Sequence, residues 1–114
     1  MRHERHIYIA GPMRGKPLLN FPAFDAAYKR LASLGWSPLS PVDMDRQSGI
    51  DAEKFAGLDE QTQKAYVRQC LQRDCMLVCN SDAIYMLKGW EASLGARAEH
   101  ALAIALNLDR KSVV

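Results

Sequence analysis

Residues 6–10 read His-Ile-Tyr-Ile-Ala, a short run of β-branched and aromatic side chains that ends at Gly11-Pro12. An apolar run of this length, closed by Gly and Pro, is typical of a buried β-strand. Further along the chain we predict strands at residues 36–42, 82–87 and 110–114, and helices at residues 20–34, 61–78 and 93–106. Strands that alternate with helices predict an α/β fold, with helices on both faces of a parallel sheet.

The prolines indicate the strand order. Pro38 and Pro41 each remove a hydrogen-bond donor from the second strand, so that strand is expected at an edge of the sheet. The more apolar first strand is expected in the centre. We therefore predict a flavodoxin/Rossmann-like three-layer sandwich with a four- or five-stranded parallel sheet in the order 2-1-3-4. Residues 43–60 are predicted to be a long connection with one helical turn near 52–55, and Asn20 is expected to cap the first long helix.

Length and composition exclude several classes of protein. The chain has 114 residues, 48% of them apolar and 25% charged, which predicts one globular domain over residues 1–114. The net charge of +2 is too small an excess to indicate a nucleic-acid-binding surface. No apolar run approaches the ~20 residues of a membrane helix, and the charged N-terminus does not resemble a secretory signal. We therefore expect a cytoplasmic protein that binds neither nucleic acid nor membranes.

Cysteine and histidine spacing gives no sign of a bound ion. Cys70, Cys75 and Cys79 are expected to be buried, reduced thiols, because their spacing does not match a zinc site. The histidines lack partners at a convincing spacing. We predict neither a metal nor a cofactor.

Ligands of such a sheet bind beyond the carboxyl ends of the strands, where the strand order reverses. In the predicted order, the loops after the first and third strands meet there. The first loop places Arg14 between Gly11 and Gly15, which fits either an anion site or a plain tight turn. Ser93 opens the last helix and either caps it or also helps hold an anion.

Three further side chains are candidates for a chemical role. Glu99 lies on the apolar stripe of the last helix, so it is either a structural ion-pair member or an active-site carboxylate, and we favour the second. Spacing predicts that Asp74 is a helix-surface charge near the opposite, N-terminal end of the sheet. Tyr8 is expected in the core, where its hydroxyl would need a partner.

Taken together, three pieces of sequence resemble a known family. They are Tyr8-Ile9-Ala10-Gly11 running into Met13-Arg14-Gly15, Asp74 eight residues before Asp82, and Ser93-Leu94-Gly95 with Glu99 four residues beyond. In this order the chain resembles the nucleoside 2-deoxyribosyltransferase superfamily, especially its branch of 2′-deoxynucleoside 5′-phosphate N-hydrolases. The likeness extends over roughly residues 7–106.

The resemblance implies a reaction. Glu99 would attack C1′ of the sugar, the base would depart, and water or a second base would resolve the glycosyl ester. Tyr8 would hydrogen-bond Glu99 and lower its pKa against the effect of burial. Asp74 would assist departure of the base, which conflicts with the position that spacing predicts unless a neighbouring subunit completes the site.

The same resemblance implies the substrate contacts. The loop residues Gly11, Met13, Arg14 and Gly15, together with Ser93 and Gly95, would hold a nucleotide and its 5′-phosphate. Pro12 departs from the Ser of the hydrolases and offers neither a hydroxyl nor an N–H.

Three functions remain open from the sequence. They are hydrolysis of a (deoxy)nucleoside 5′-monophosphate, transfer of a deoxyribosyl group between bases, and nucleotide binding without catalysis. The identity of the base would depend on residues 41–58, which carry no readable motif. A homodimer or higher homo-oligomer is expected from the family resemblance.

Overall fold

The computed structural model describes residues 5–112, which contain four strands and five α-helices. The strands are β1 (His6–Ala10), β2 (Ser37–Leu39), β3 (Ala83–Met86) and β4 (Asp109–Ser112). The helices are α1 (Phe21–Ser33), α2 (Pro41–Gln47), α3 (Ala52–Ala56), α4 (Glu60–Cys79) and α5 (Leu94–Ala105). Among these described helices, none has both the length and the apolar character needed to cross a lipid bilayer.

The four strands form one parallel sheet in the order β2-β1-β3-β4. Tyr8 in β1 lies beside Leu39 of β2 and Ile84 of β3. The predicted α/β fold and the strand order 2-1-3-4 are therefore confirmed. The last predicted strand, at residues 110–114, corresponds to β4; residues 113–114 lie outside the described residues.

Alternating side chains of β1 point into two separate cores. Ile7 and Ile9 pack on one face with α1, where Phe24 is fully buried. Tyr8 and Ala10 face the other side, where the core includes residues of α4 and α5. Because helices cover both faces, the structure is the predicted three-layer sandwich.

The segment after β2 differs from the prediction. The strand ends at Leu39, and Pro41 and Val42 instead open α2. The Ser40 hydroxyl accepts a hydrogen bond from the Val42 amide at 3.2 Å, and proline is well suited to a first helical turn because it has no N–H to satisfy. The long connection predicted at residues 43–60 is therefore largely helical, with α3 at the position of the predicted helical turn.

The cysteines also differ from the prediction. All three are free thiols, but Cys70 and Cys75 are only half-buried and Cys79 is exposed. The physical reason is that α4 buries little of its surface: only Asp74 and Val78 are buried among its 20 residues.

Candidate active site

The loops that follow β1 and β3 border one cavity of about 610 Å³. All nine residues predicted for the site line it: Tyr8, Gly11, Met13, Arg14, Gly15, Asp74, Ser93, Gly95 and Glu99. The strand order explains this convergence. The chain leaves β1 and β3 in opposite directions along the sheet, and a crevice opens between the two loops.

Gly11 allows the two loops to approach each other. A Cβ atom at this position would lie 2.7 Å from the Cβ of Leu87, closer than side chains can pack. The Leu87 amide donates a hydrogen bond to the Ala10 carbonyl at 2.8 Å, so β1 and β3 stay paired up to this point. A glycine here is therefore required by space at the floor of the cavity.

A buried hydrogen bond joins the central strand to the last helix. The Tyr8 hydroxyl donates to Oε2 of Glu99 at 2.8 Å; Tyr8 is fully buried and Glu99 is 7% exposed. Burial and the nearby carboxylates raise the pKa of Tyr8 well above its usual value, so it stays a hydrogen-bond donor. Within residues 5–112, no group donates a hydrogen bond to the other oxygen, Oε1.

Glu99 holds its proton more tightly than an ordinary carboxyl group. Burial first, and then the charge of Asp74, raise its pKa from 4.5 to about 8. The hydrogen bond from Tyr8 lowers the pKa, as expected from the resemblance, and so does the charge of Arg73. Burial outweighs both, so Glu99 is largely protonated at neutral pH.

Asp74 lies in the same cavity, and the prediction of a surface charge at the far end of the sheet is wrong. It is 6% exposed, and its Oδ1 accepts a hydrogen bond from Nε of Arg73 at 2.7 Å. Asp74 lies six residues before Asn80, a helical rise of ~9 Å. Since β3 is only ~13 Å long, that rise already carries Asp74 most of the way to the carboxyl end. One chain therefore brings Asp74 and Glu99 together.

The environment of Asp74 also shifts its proton affinity. Burial raises the pKa of Asp74, Arg73 opposes that effect, and the charge of Asp45 adds to it. The charge of Asp74 in turn raises the cost of ionising Glu99, because like charges repel strongly where water is scarce. The charge state of Asp74 therefore affects the proton affinity of Glu99.

Sequence reasoning missed Arg73 and Asp45. Nη1 of Arg73 donates to Oδ1 of Asp45 at 3.1 Å, and its Nη2 donates to the Pro41 carbonyl at 3.4 Å. Arg73 thus connects α2 to α4 and lies between two buried carboxylates. The only available signal was the Ser40-Pro41 helix start, which places Asp45 one turn into α2 rather than in a loop.

The cations of the cavity lie in the loop after β1. Arg14 and Lys16 both line the cavity, and no described carboxylate forms an ion pair with either of them. Asn20 occupies the N-cap position of α1 as expected, but its side chain makes no capping hydrogen bond. Instead its Nδ2 donates to the Pro12 carbonyl at 2.9 Å and fixes this loop. Lys16 was not predicted, and it adds a charged donor near the position where Pro12 has none.

Ser93 caps α5, as one of its two interpretations required. Its Oγ accepts a hydrogen bond from the Ala96 amide at 3.2 Å, and Ser93 and Gly95 border the cavity at the start of the helix. The hydroxyl proton remains free to donate to a ligand. Capping and ligand binding are therefore compatible at this residue.

Three carboxyl groups line the cavity, those of Asp45, Asp74 and Glu99, and carboxylate oxygens are common metal ligands. Across the part of the chain that is described, no group of three or more His, Cys, Asp or Glu residues is arranged to hold one. The cation that lies between Asp45 and Asp74 is the guanidinium of Arg73.

We expect Glu99→Gln to change how stability depends on pH. The folded pKa of about 8 exceeds the unfolded value of 4.5, so the folded state binds more protons between these values. The free energy of unfolding therefore falls as pH rises through that window, by up to roughly 4–5 kcal/mol for a shift of this size. The glutamine side chain stays neutral, so the variant should gain stability over wild type from pH 5 to 8.5 in urea unfolding.

The matched control is Glu91→Gln, which changes an exposed residue of the turn Trp90–Ala92. Its stability should follow the wild-type pH profile. Parallel profiles for wild type and the Glu99 variant would show that Glu99 is not a buried acid with a raised pKa.

Comparison with known proteins gives a family without an assigned activity. Residues 5–111 match the family described as "Domain of unknown function (DUF4406)". No curated protein matches the chain. Because the match spans nearly the whole sequence, the chain belongs to the DUF4406 family.

Proposed function

We propose that this protein hydrolyses the N-glycosidic bond of (deoxy)nucleoside 5′-monophosphates, releasing free base and sugar phosphate. The observation that carries the proposal is the buried pair of Tyr8 and Glu99. One Glu99 oxygen is held at 2.8 Å by Tyr8, and the other has no donor among the described residues. A second buried carboxyl group, Asp74, lies in the same cavity and can supply the proton that a departing base needs.

The proposed reaction has two steps. In the first, Oε1 of Glu99 attacks C1′, the bond from C1′ to the base nitrogen breaks, and its electron pair leaves with the base. Asp74 gives its proton to the base. In the second, water attacks C1′ and releases Glu99, while Asp74 takes back a proton from that water.

This scheme requires one proton shared by two acids. Glu99 must be ionised while Asp74 is protonated, so the active state is one arrangement of the singly protonated pair. The pair loses its last proton near pH 8, the raised pKa of Glu99. It gains a second proton at low pH. A bell-shaped profile of kcat/KM follows, with its alkaline limb near pH 8.

We expect Glu99→Ala to abolish release of base from a panel of nucleoside monophosphates, followed by chromatography. Loss of the attacking oxygen should reduce the rate ~10⁴-fold or more. Glu91→Ala, on the exposed turn, should retain wild-type activity with the same circular dichroism spectrum. Turnover that survives in the Glu99 variant would remove that residue from the proposed nucleophilic role.

Tyr8→Phe should alter the pH profile as well as the rate. Tyr8 stabilises ionised Glu99, so its loss raises the pKa of Glu99 further and moves the alkaline limb of kcat/KM to higher pH. The active arrangement becomes rarer, and kcat/KM at pH 7 should fall ~10- to 100-fold. An unchanged limb, or a rate that rises through pH 8 and stays high, would contradict the shared proton.

The proposed phosphate site involves Arg14 with Lys16 and Ser93. We expect Arg14→Gln to raise KM for a nucleoside monophosphate by ~10- to 100-fold, because a charged hydrogen bond is lost. KM for the corresponding nucleoside should not change. Arg68→Gln, a change on α4 outside the cavity, is the control. Equal effects of the Arg14 change on nucleotide and nucleoside would exclude a 5′-phosphate contact.

The same assays separate the other functions that the sequence left open. Exchange of bases on addition of a second free base would identify a transferase, since the glycosyl ester would then be resolved by that base. Nucleotide binding without any released base would identify a non-catalytic module. We place the proposed reaction in the cytoplasm, where its nucleotide substrates are made.

We also retain the homodimer as a proposal. Helices α4 and α5 and the residue after α5 expose several large apolar side chains: Leu71, Met76, Leu94, Ile104 and Leu106. Contact with a second copy would remove such surface from water. Size-exclusion chromatography with light scattering should give about twice the chain mass of 12.8 kDa, and a single-chain mass would exclude the dimer.

A further inference from the structure

Asp45 is a buried carboxylate that the proposed reaction does not use. It is 4% exposed and lines the same cavity as Glu99 and Asp74. Its Oδ1 atom accepts three hydrogen bonds, from the Tyr66 hydroxyl at 2.8 Å, from Nη1 of Arg73 at 3.1 Å and from the Cys70 thiol at 3.7 Å. This oxygen is therefore fully committed to the protein.

The second oxygen of Asp45 is in a different position. Within residues 5–112, no group donates a hydrogen bond to Oδ2, and this atom keeps some accessible surface. A ligand that covers this oxygen displaces water from it, which is costly unless the ligand itself donates a hydrogen bond. Oδ2 is therefore the Asp45 oxygen that can accept a hydrogen bond from an N–H or O–H group of a ligand.

The surroundings of Asp45 suit the flat face of an aromatic base. The rings of Phe55 and Tyr66 lie 6.2 Å apart, tilted by 54°, and both line the cavity together with Ile50. The Tyr66 hydroxyl is the same group that donates to Oδ1 of Asp45. An apolar wall with one fixed acceptor beside it is the usual construction of a site that orients a base.

The cavity is also divided by charge. Arg14 and Lys16, which form no ion pair with any of the described residues, belong to the loop after β1, whereas Arg73 is engaged by Asp45, Asp74 and a carbonyl. A ligand that fits has an anionic group for the first set and a hydrogen-bond donor for Asp45. A nucleotide whose base carries an amino group has both.

We propose that Asp45 selects nucleotides whose base bears an exocyclic amino group, as in adenine or cytosine, over those with a carbonyl at that position. Oδ2 can only accept a hydrogen bond, so an amino N–H pairs with it and a carbonyl oxygen is repelled. A site that leaves its buried polar group unpaired rejects the wrong ligand strongly. This inference rests on the proposed function, because it names the substrate class of the same cavity.

The test compares two matched substrate pairs, dAMP with dIMP and dCMP with dUMP. Wild-type protein should favour the amino member of each pair by ~10- to 100-fold in kcat/KM. Asp45→Asn should invert that preference. Three donors converge on the Oδ1 position, so the amide oxygen of the introduced asparagine stays there and its NH₂ group takes the place of Oδ2, where it pairs with a carbonyl.

Asp43→Asn is the matched control, since it makes the same change two residues earlier on α2 but outside the cavity. Its preference and its rate should equal those of wild type. Tyr66→Phe removes one donor from Oδ1 and leaves Oδ2 in place, so it should keep the amino preference even if its rate falls. Loss of the preference for the amino substrates in Asp43→Asn or in Tyr66→Phe would overturn the role of Asp45.

Binding of free adenine and hypoxanthine, measured by calorimetry, separates this inference from the proposed function. Hydrolysis without an amino preference in wild type would overturn the inference and leave the proposed function standing. Preferential binding of adenine that Asp45→Asn reverses, without hydrolysis of any nucleotide, would support the subsite and overturn the hydrolase. Absence of both hydrolysis and base binding would overturn both.

Discussion

The hydrogen bond between Tyr8 and Glu99 links the sheet to the chemistry of the cavity. It joins two residues that are 91 positions apart, one in the central strand and one on α5. The two oxygens are 2.8 Å apart, and the bond is buried. Burial at that position raises the free energy of the ionised carboxylate, and this raises the pKa of Glu99 to about 8. Packing alone would favour an apolar residue among Ala96 and Ala103, its buried neighbours on the helix. The unfavourable burial of the Glu99 carboxyl group is explained if that group has a chemical role.

Arg73 allows two further carboxylates to be buried in the same cavity. It donates to Asp74 through Nε and to Asp45 through Nη1, and it reaches the Pro41 carbonyl at the start of α2. Removing one partner from such a network leaves the others unpaired in a poorly hydrated site, which is strongly unfavourable. The position of α2 and the charge state of Asp74 are therefore connected through a single side chain.

The sequence predicted the strand order correctly, but it misplaced or missed some of the residues that line the cavity. The apolar run of β1 and Pro38 in β2 indicate which strand is central and which is at the edge, because both features act locally on strand pairing. Helix α2 was missed because its first residues, Pro41 and Val42, were assigned to the second strand, and because Asp45 is a residue type that indicates a loop until its partner Arg73 is known. Asp74 was misplaced because the rise of the last six residues of α4 was not compared with the short length of β3, and because its partner Arg73 was not identified. The family resemblance placed both acids in one site, and the fold brings them into one cavity.

The proposed reaction depends on which of the two acids, Glu99 or Asp74, holds the shared proton. Burial raises the pKa of both acids, that of Glu99 to about 8, whereas attack on C1′ in the proposed reaction needs Glu99 to be ionised. In the proposed reaction, a bound sugar would change that balance, because positive charge would develop at C1′ next to Oε1 as the bond to the base lengthens. At low dielectric that charge stabilises ionised Glu99 far more than it could in water. The proton then moves to the Asp74 side, where the base nitrogen is becoming negative. In the proposed reaction, the poorly hydrated cavity that makes Glu99 a weak acid would thus strengthen its attraction to the transition state.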